Sequence, residues 1–273
     1  KQLSVILGMH RSGTSLITKS LELVGYSLGD NLMPEREDNP KGFFEDVDVV
    51  ALNDELLRAS SSSWDTLQLS PDVRIITDKK LIKKANGLLK RKLNKTNKLA
   101  IKDPRMCLLL PFWGDRFEGL DIRVSYIVVH RNPIDVAASL SKRNGFTIRH
   151  GLLLDYFYSR EIMQFVENDG LVINYAEFME DPARQVGRIA EHLEETVDAD
   201  ALTEFTNEFV DRSLWHNNQD QLVTDNSLPV LDKLSNLMLD LSAGKQISVQ
   251  KFLKKNKTTL ELEHELLNIE VSR

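Results

Sequence analysis

Two clusters in this chain combine permanent positive charge with small hydroxyl residues. One is His10-Arg11-Ser12-Gly13-Thr14-Ser15; the other is Arg131 followed by Ser139. A guanidinium is a forked donor matched to phosphate oxygens, and hydroxyls with free backbone amides can complete such a cradle. The chemistry on offer is anion binding at two places. Lys102-Asp103, Tyr175 and the carboxylate of Glu45, in Gly-Phe-Phe-Glu-Asp, are the other polar groups worth placing. No obvious acidic pair for magnesium stands among them.

The elements that must carry these residues can be read around them. Leu3, Val5, Ile6 and Leu7 form an apolar run that reads as a buried strand. It breaks at Gly8, and from Thr14 the pattern turns helical through Leu16, Ile17, Leu21 and Val24. A strand, a glycine-bracketed turn and a helix start direct free N–H groups at one point. Gly8 and Gly13 have the spacing of a nucleotide-hydrolase P-loop, and Ser15 stands at its magnesium-binding hydroxyl. Thr14, however, holds the position of the phosphate-gripping lysine, and the cation has moved to Arg11. Such a loop suits a nucleotide's 5′-phosphate better than γ-phosphate chemistry; a merely structural glycine turn is the plain alternative.

Further strands are expected at Leu99–Ile101, ending in Lys102-Asp103-Pro104, at Ile122–Val129, and at Leu171–Tyr175. After the second of these, Asn132 is a good N-cap, Pro133 suits the first helical position and Asp135 the first turn, so a helix should run to about Arg143. Ser139 lies seven residues past that cap, close to two turns, which places its hydroxyl where it could hold one phosphate together with Arg131. The plain alternative pairs Arg131 with Asp135. Asp181-Pro182 opens another helix through Val186, Ile189 and Leu193. Strands alternating with helices predict an α/β fold with a P-loop-like central parallel sheet. Ligands in such sheets gather at the carboxyl ends of the strands, and here those ends carry residues 8–15, Lys102-Asp103, Arg131 and Tyr175.

The remainder sets bounds. The 273 residues carry a net charge of −6, which argues against a nucleic-acid polymer as partner, and no apolar run is long enough to span a membrane. The one cysteine, Cys107, sits in an apolar setting and reads as core; a chain with a single cysteine fits a reducing, cytoplasmic compartment. Because the chain enters its first strand almost at once, a trimmed piece of something longer is expected. Pro71–Asn97 reads as an amphipathic helix with a basic outer side at Lys79, Lys80, Lys83, Lys84, Lys90, Arg91 and Lys92. Residues 1–197 are expected to form the core and 198–273 a helical C-terminal extension packed on it, with helical patterns at Leu202–Val210, Leu228–Ser242 and Val249–Ile269. These helices offer a surface for a homodimer, and Trp215 and His216 fall in a turn between them.

Together the motifs resemble those of the sulfotransferases that use 3′-phosphoadenosine 5′-phosphosulfate (PAPS). His10–Ser15 is similar to their 5′-phosphosulfate loop, Arg131-Asn132-Pro133-Ile134-Asp135 with Ser139 to their 3′-phosphate motif, and Tyr175-Ala-Glu with Asp181-Pro182 to a stretch after a core strand. The resemblance covers about Leu3 to Leu193 and looks closest to bacterial carbohydrate-type and tyrosylprotein-like branches. It implies in-line, metal-independent transfer of a sulfuryl group to an acceptor hydroxyl, probing first a carbohydrate or lipid-linked glycan, with release of 3′,5′-adenosine bisphosphate (PAP). It implies donor binding by Arg11, Ser12, Gly13, Thr14, Ser15, Arg131, Ser139 and Tyr175, with Lys102 steadying the transferring group. Glu45 is the best match for the base, with His10 and Asp103 as substitutes; Glu45 could instead be a first-turn charge of the next helix, and Asp103 a cap for the Pro104 turn. Leu16 stands where the cytosolic branch has an adenine-stacking tryptophan, so the adenine pocket must be built differently. An ATP-dependent P-loop kinase and a non-catalytic nucleotide-binding domain are the rival readings.

Overall fold

The computed structural model describes residues 1–36, 39–67, 76–167, 169–211 and 229–257. Four parallel strands form one sheet: β1 (Gln2–Leu7), β2 (Lys98–Lys102), β3 (Arg123–His130) and β4 (Gly170–Asn174), in the order β2-β1-β3-β4. Val5 lies opposite Ile101 on one side and Tyr126 on the other. Both faces of β1 are covered: Leu3, Val5 and Leu7 join one apolar cluster and Ile6 a second on the opposite face. Such two-sided burial explains why the strand reads as a continuous apolar run. The chain leaves β1 toward β2 and then crosses back to β3, so the strand order reverses beside β1, and in such sheets ligands bind at the carboxyl ends beside that reversal.

The helices are α1 (Thr14–Ser20), α2 (Val47–Ala59), α3 (Lys79–Lys95), α4 (Leu110–Glu118), α5 (Pro133–Asn144), α6 (Ile148–Val166), α7 (Tyr175–Glu180), α8 (Pro182–Leu193), α9 (Ala199–Glu204) and α10 (Pro229–Ser242). Residues 249–257 are also helical. This is the α/β architecture, a parallel sheet flanked by helices, that the strand–helix alternation predicts. The caps agree in detail: Asn132 accepts from the Ile134 N–H and Asp181 from the Arg184 N–H.

Three expectations need correction, and one element was not foreseen. The basic helix starts at Lys79 rather than in the Pro71 region, because Asp78 caps it through the Lys80 and Leu81 amides; residues 71–75 lie outside the described residues. Lys92 is not on the solvent face of α3 but is only 3% exposed, held by carboxylates of a neighbouring segment. Tyr175 does not end a strand; Asn174 caps a short helix there by accepting from the Ala176 N–H, and Tyr175 is its first residue. Helix α6 has no counterpart in the sequence pattern, since Gly151–Ser159 are buried without interruption and leave no polar stripe. Trp215, His216 and residues 258–269 lie outside the described residues.

Helix α10 joins the sheet's own core, with Leu231, Leu234, Leu237 and Met238 in the cluster that contains Leu3 and Val128. Its Ser235 hydroxyl lies 3.1 Å from Nε2 of His130, the last residue of β3. Burial pushes the His130 imidazole down to about 4, so it stays neutral. Among the described residues no helix is long and apolar enough to cross a membrane.

Candidate functional site

The loop from β1 to α1 is shaped by two glycines. At Gly8 a Cβ would meet Ser12 Oγ at 2.8 Å and the Val129 carbonyl at 3.0 Å. At Gly13, φ is +94° and a Cβ would lie 2.2 Å from the Tyr175 ring. Arg11, though not a glycine, also takes a left-handed φ of 71°, a strained conformation of the kind that clusters at ligand clamps. The Gly8 N–H donates to the Cys107 sulfur at 3.3 Å. Burial pushes that thiol up to about 12, so Cys107 supports the loop as a neutral, structural group.

The loop and the end of β3 form one network. Arg11 Nε donates to Ser139 Oγ on α5 at 2.8 Å, and Arg131 donates to the Arg11 carbonyl at 3.2 Å. The Arg131 guanidinium lies 4.9 Å from the Tyr175 ring centroid and its Nε is 3.9 Å from Asp135. Ser139 is thus joined to Arg11 rather than to Arg131, whose side chain turns onto Tyr175 instead. The two cation clusters are thus joined by hydrogen bonds.

Lys102, at the end of β2, and Glu45, just before α2, form a buried ion pair of 2.5 Å; they are 3% and 6% exposed. Lys102 Nζ is also 3.4 Å from Ser15 Oγ, and that hydroxyl donates to the Phe43 carbonyl at 3.2 Å. Burial raises the Glu45 carboxyl above the ordinary range, with Lys102 pulling in the opposite direction and the nearby Asp103 charge adding to the rise. Glu45 is not a first-turn charge: the helix cap is its neighbour Asp46, which accepts from the Asp48 N–H.

Asp103 is fully buried and fully engaged. It accepts from Asn53 Nδ2 at 2.8 Å, from the Arg105 guanidinium at 3.0 Å and from the Arg105 N–H at 3.1 Å, capping the Pro104 turn. Asn53 in turn accepts from Trp113 Nε1 at 2.8 Å. These bonds make Asp103 an anchor for the turn. His10 packs edge-on to Trp64, with ring centroids 4.7 Å apart, and its Nε2 is buried without a hydrogen-bond partner among the described residues. Burial, then Arg105, Arg143, Lys102 and Arg11, hold its pKa well below the usual histidine value. His10 is therefore a neutral imidazole set among four cations.

Several participants escape sequence reading. Arg105, 3.8 Å from Glu45, follows Lys102 in Lys-Asp-Pro-Arg, and the proline turn that returns it toward Glu45 was the available signal. Phe44 and Phe209 stand 5.9 Å apart, with Lys19 and Lys41 against the Phe209 ring. No local signal joins residues so distant in the chain. Leu16 packs in the same apolar cluster as this pair. Beside them is an open cavity of about 510 Å³ lined by Lys41, Thr206, Asn207, Val210 and Asp211 among others.

Gly13→Ala is expected to lower stability by about 1–3 kcal/mol in urea unfolding, since it combines a disfavoured φ with a clash against Tyr175. Gly87→Ala, on α3 where a Cβ meets nothing within 4 Å, should instead raise it by about 0.5–1 kcal/mol.

No protein-family model matches the chain, and no curated protein does. Among solved structures it is similar to the sulfotransferase domain from the Synechococcus PCC 7002 olefin synthase, with a TM-score of 0.54 and 17% identity over 88% of this chain and 94% of that one. It is also similar to the sulfotransferase domain from the curacin biosynthetic pathway, with a TM-score of 0.53 and 13% identity over 90% and 98% of the two chains. The chain has the fold of these sulfotransferase domains.

Proposed function

We propose that the chain is a PAPS-dependent sulfotransferase that moves a sulfuryl group to an acceptor hydroxyl and leaves PAP. The observation that carries this reading is the buried Glu45–Lys102 pair beside Ser15, set against the glycine loop at the reversal of the sheet. The residues fit such a donor: a Cβ at Gly13 would close the cradle, and Arg11 and Arg131 supply permanent charge on either side of it. When bound, PAPS supplies the activated sulfuryl group. Arg11 with the backbone and hydroxyls of Ser12, Gly13, Thr14 and Ser15 would hold its 5′ end, and Arg131, steadied on Tyr175, the 3′-phosphate. Ser139 orients Arg11 through the 2.8 Å hydrogen bond. The cavity beside Phe209 is the candidate base site, replacing the stacking residue that Leu16 does not provide.

In this reading Lys102 donates to the oxygens that gain charge, and Glu45, once ionised, accepts the acceptor's proton at a carboxylate oxygen. His10 remains neutral and closes the wall between the loop and Trp64. We assign the acceptor to a carbohydrate or lipid-linked glycan hydroxyl, on the likeness of the motifs to bacterial carbohydrate-type enzymes. We also assign residues 1–197 to the donor-binding core, 198–273 to the extension, and the cytoplasm as the compartment.

Thermal unfolding tests the donor site. A ligand present at a hundred times its Kd adds about 2.7 kcal/mol to the native state, or roughly 5–10 °C in Tm for a chain of this size. PAP without metal is expected to give a shift of that order, and Arg131→Ala to remove most of it. Stabilisation by ATP with magnesium alone would make the P-loop kinase the correct reading.

A further inference from the structure

Lys92 is the one residue of the basic series on α3 that the fold buries, and its position relative to Glu45 gives that burial a purpose. Its ammonium lies 2.6 Å from Asp46 and 2.8 Å from Asp48, and it also bonds Asp30. Asp30 pairs in addition with Lys95, and Asp48 with Arg91, whereas among the described residues Asp46 pairs with Lys92 alone. Asp46 directly follows Glu45. The same short stretch is stitched to residues 31–33: the Met33 N–H donates to the Glu45 carbonyl at 2.7 Å and the Val47 N–H to the Asn31 carbonyl at 2.8 Å. Asp46 also caps α2 through the Asp48 N–H at 3.0 Å. The backbone on which Glu45 stands is therefore fixed from three directions, and only one of them is a charge buried beneath it.

We propose that Lys92 is a positioning residue for Glu45: by clamping Asp46 it sets where Glu45 leaves the backbone, and so keeps that carboxylate on Lys102. The catalytic consequence rests on the role given to Glu45 above; the positional one does not. Removing the ammonium leaves Asp46 buried without its cation, facing Asp30 and Asp48, and like charges at that distance push the segments that carry them apart. Glu45 would then swing toward water.

The experiment follows the Glu45 carboxyl by 13C NMR titration in the parent, in Lys92→Met and in the double variant Lys92→Met/Asp46→Asn. The double variant removes the stranded buried charge, and asparagine remains a good N-cap, so the fold is kept while the clamp is lost. The groups facing Glu45 are Lys102, Arg105 and Asp103, with Ser15 beside Lys102. Losing a cation through space would raise the Glu45 pKa or leave it alone. Release of the carboxylate into water lowers it toward the ordinary glutamate value, so in Lys92→Met, where a cation alone is lost, the sign separates the two effects. We expect that fall in both variants, with kcat for PAPS turnover down at least tenfold and KM for PAPS within about twofold. A Glu45 titration unchanged in the double variant overturns the clamp. Should the parent neither bind PAP nor turn over PAPS, the proposed function fails while the titration still decides the positioning.

Discussion

Lys102→Met is expected to bind PAP as the parent does and to transfer sulfuryl groups about a hundred- to a thousandfold more slowly, the usual loss when one preorganised donor to a developing charge is removed. The asymmetry between binding and rate follows from where Lys102 stands. The loop that would hold the donor draws its charge from Arg11 and Arg131, which are joined through the Arg11 carbonyl. Lys102 meets that loop at the Ser15 hydroxyl, 3.4 Å away, but its charge is paired with Glu45. Melting curves with PAP and steady-state rates with PAPS measured on one preparation check both halves. A parallel loss of binding and rate would make Lys102 part of the donor cradle. The same variant should shift the pH profile: Lys102 lowers the Glu45 pKa, so without it the rise of kcat with pH moves to more alkaline values.

Glu45→Gln should cost about a hundred- to ten-thousandfold in kcat, the range assigned to general-base catalysis, with PAP stabilisation retained. In the parent, activity should rise with pH as Glu45 ionises. Because burial holds its pKa above the ordinary range, that rise lies at higher pH than a free glutamate would give. The glutamine variant has no such group, and its residual rate should lose the rise. The stability linkage has the opposite sign. A carboxyl with a raised folded-state pKa binds its proton more readily in the native state, so its contribution to stability is fully present below the unfolded pKa and diminishes as pH rises through the folded one. Glu45→Gln should therefore flatten the stability profile across that window while it removes the activity. A glutamine variant with the parent's pH–rate profile would pass the base role to His10.

Local signals made the glycine loop after β1 and the start of α5 legible. Glycine spacing, the apolar run and the Asn132-Pro133 cap all act within a few residues, and the structure has the strand, turn and helices they imply. Pairings across the sheet were less accessible. Lys102 and Glu45 can each be singled out, but nothing in the sequence says that they meet, or that Arg11 rather than Arg131 reaches Ser139. Helix α6 was invisible for a physical reason: a helix surrounded by protein has no wet side to betray its period. Lys92 misled in the opposite sense. Lysine normally marks the solvent face, and only the gathering of Asp30, Asp46 and Asp48 around it reverses that rule.

The placing of β1 at the centre of the sheet also bears on how the chain is made. It is synthesised before the other three strands, and both of its partners come much later: Val5 must wait for Ile101 and Tyr126. At roughly 5–20 residues per second, translation alone separates β1 from β2 by on the order of five to twenty seconds. Throughout that interval a strand with two apolar faces and two open edges has nothing to pair with, a template for wrong partners. Such non-local topologies fold slowly, because the entropy of loop closure is lost before any contact compensates for it. The loop that follows β1 touches Arg131 and Tyr175, so the proposed cradle is complete only after β3 and the start of α7 have been made.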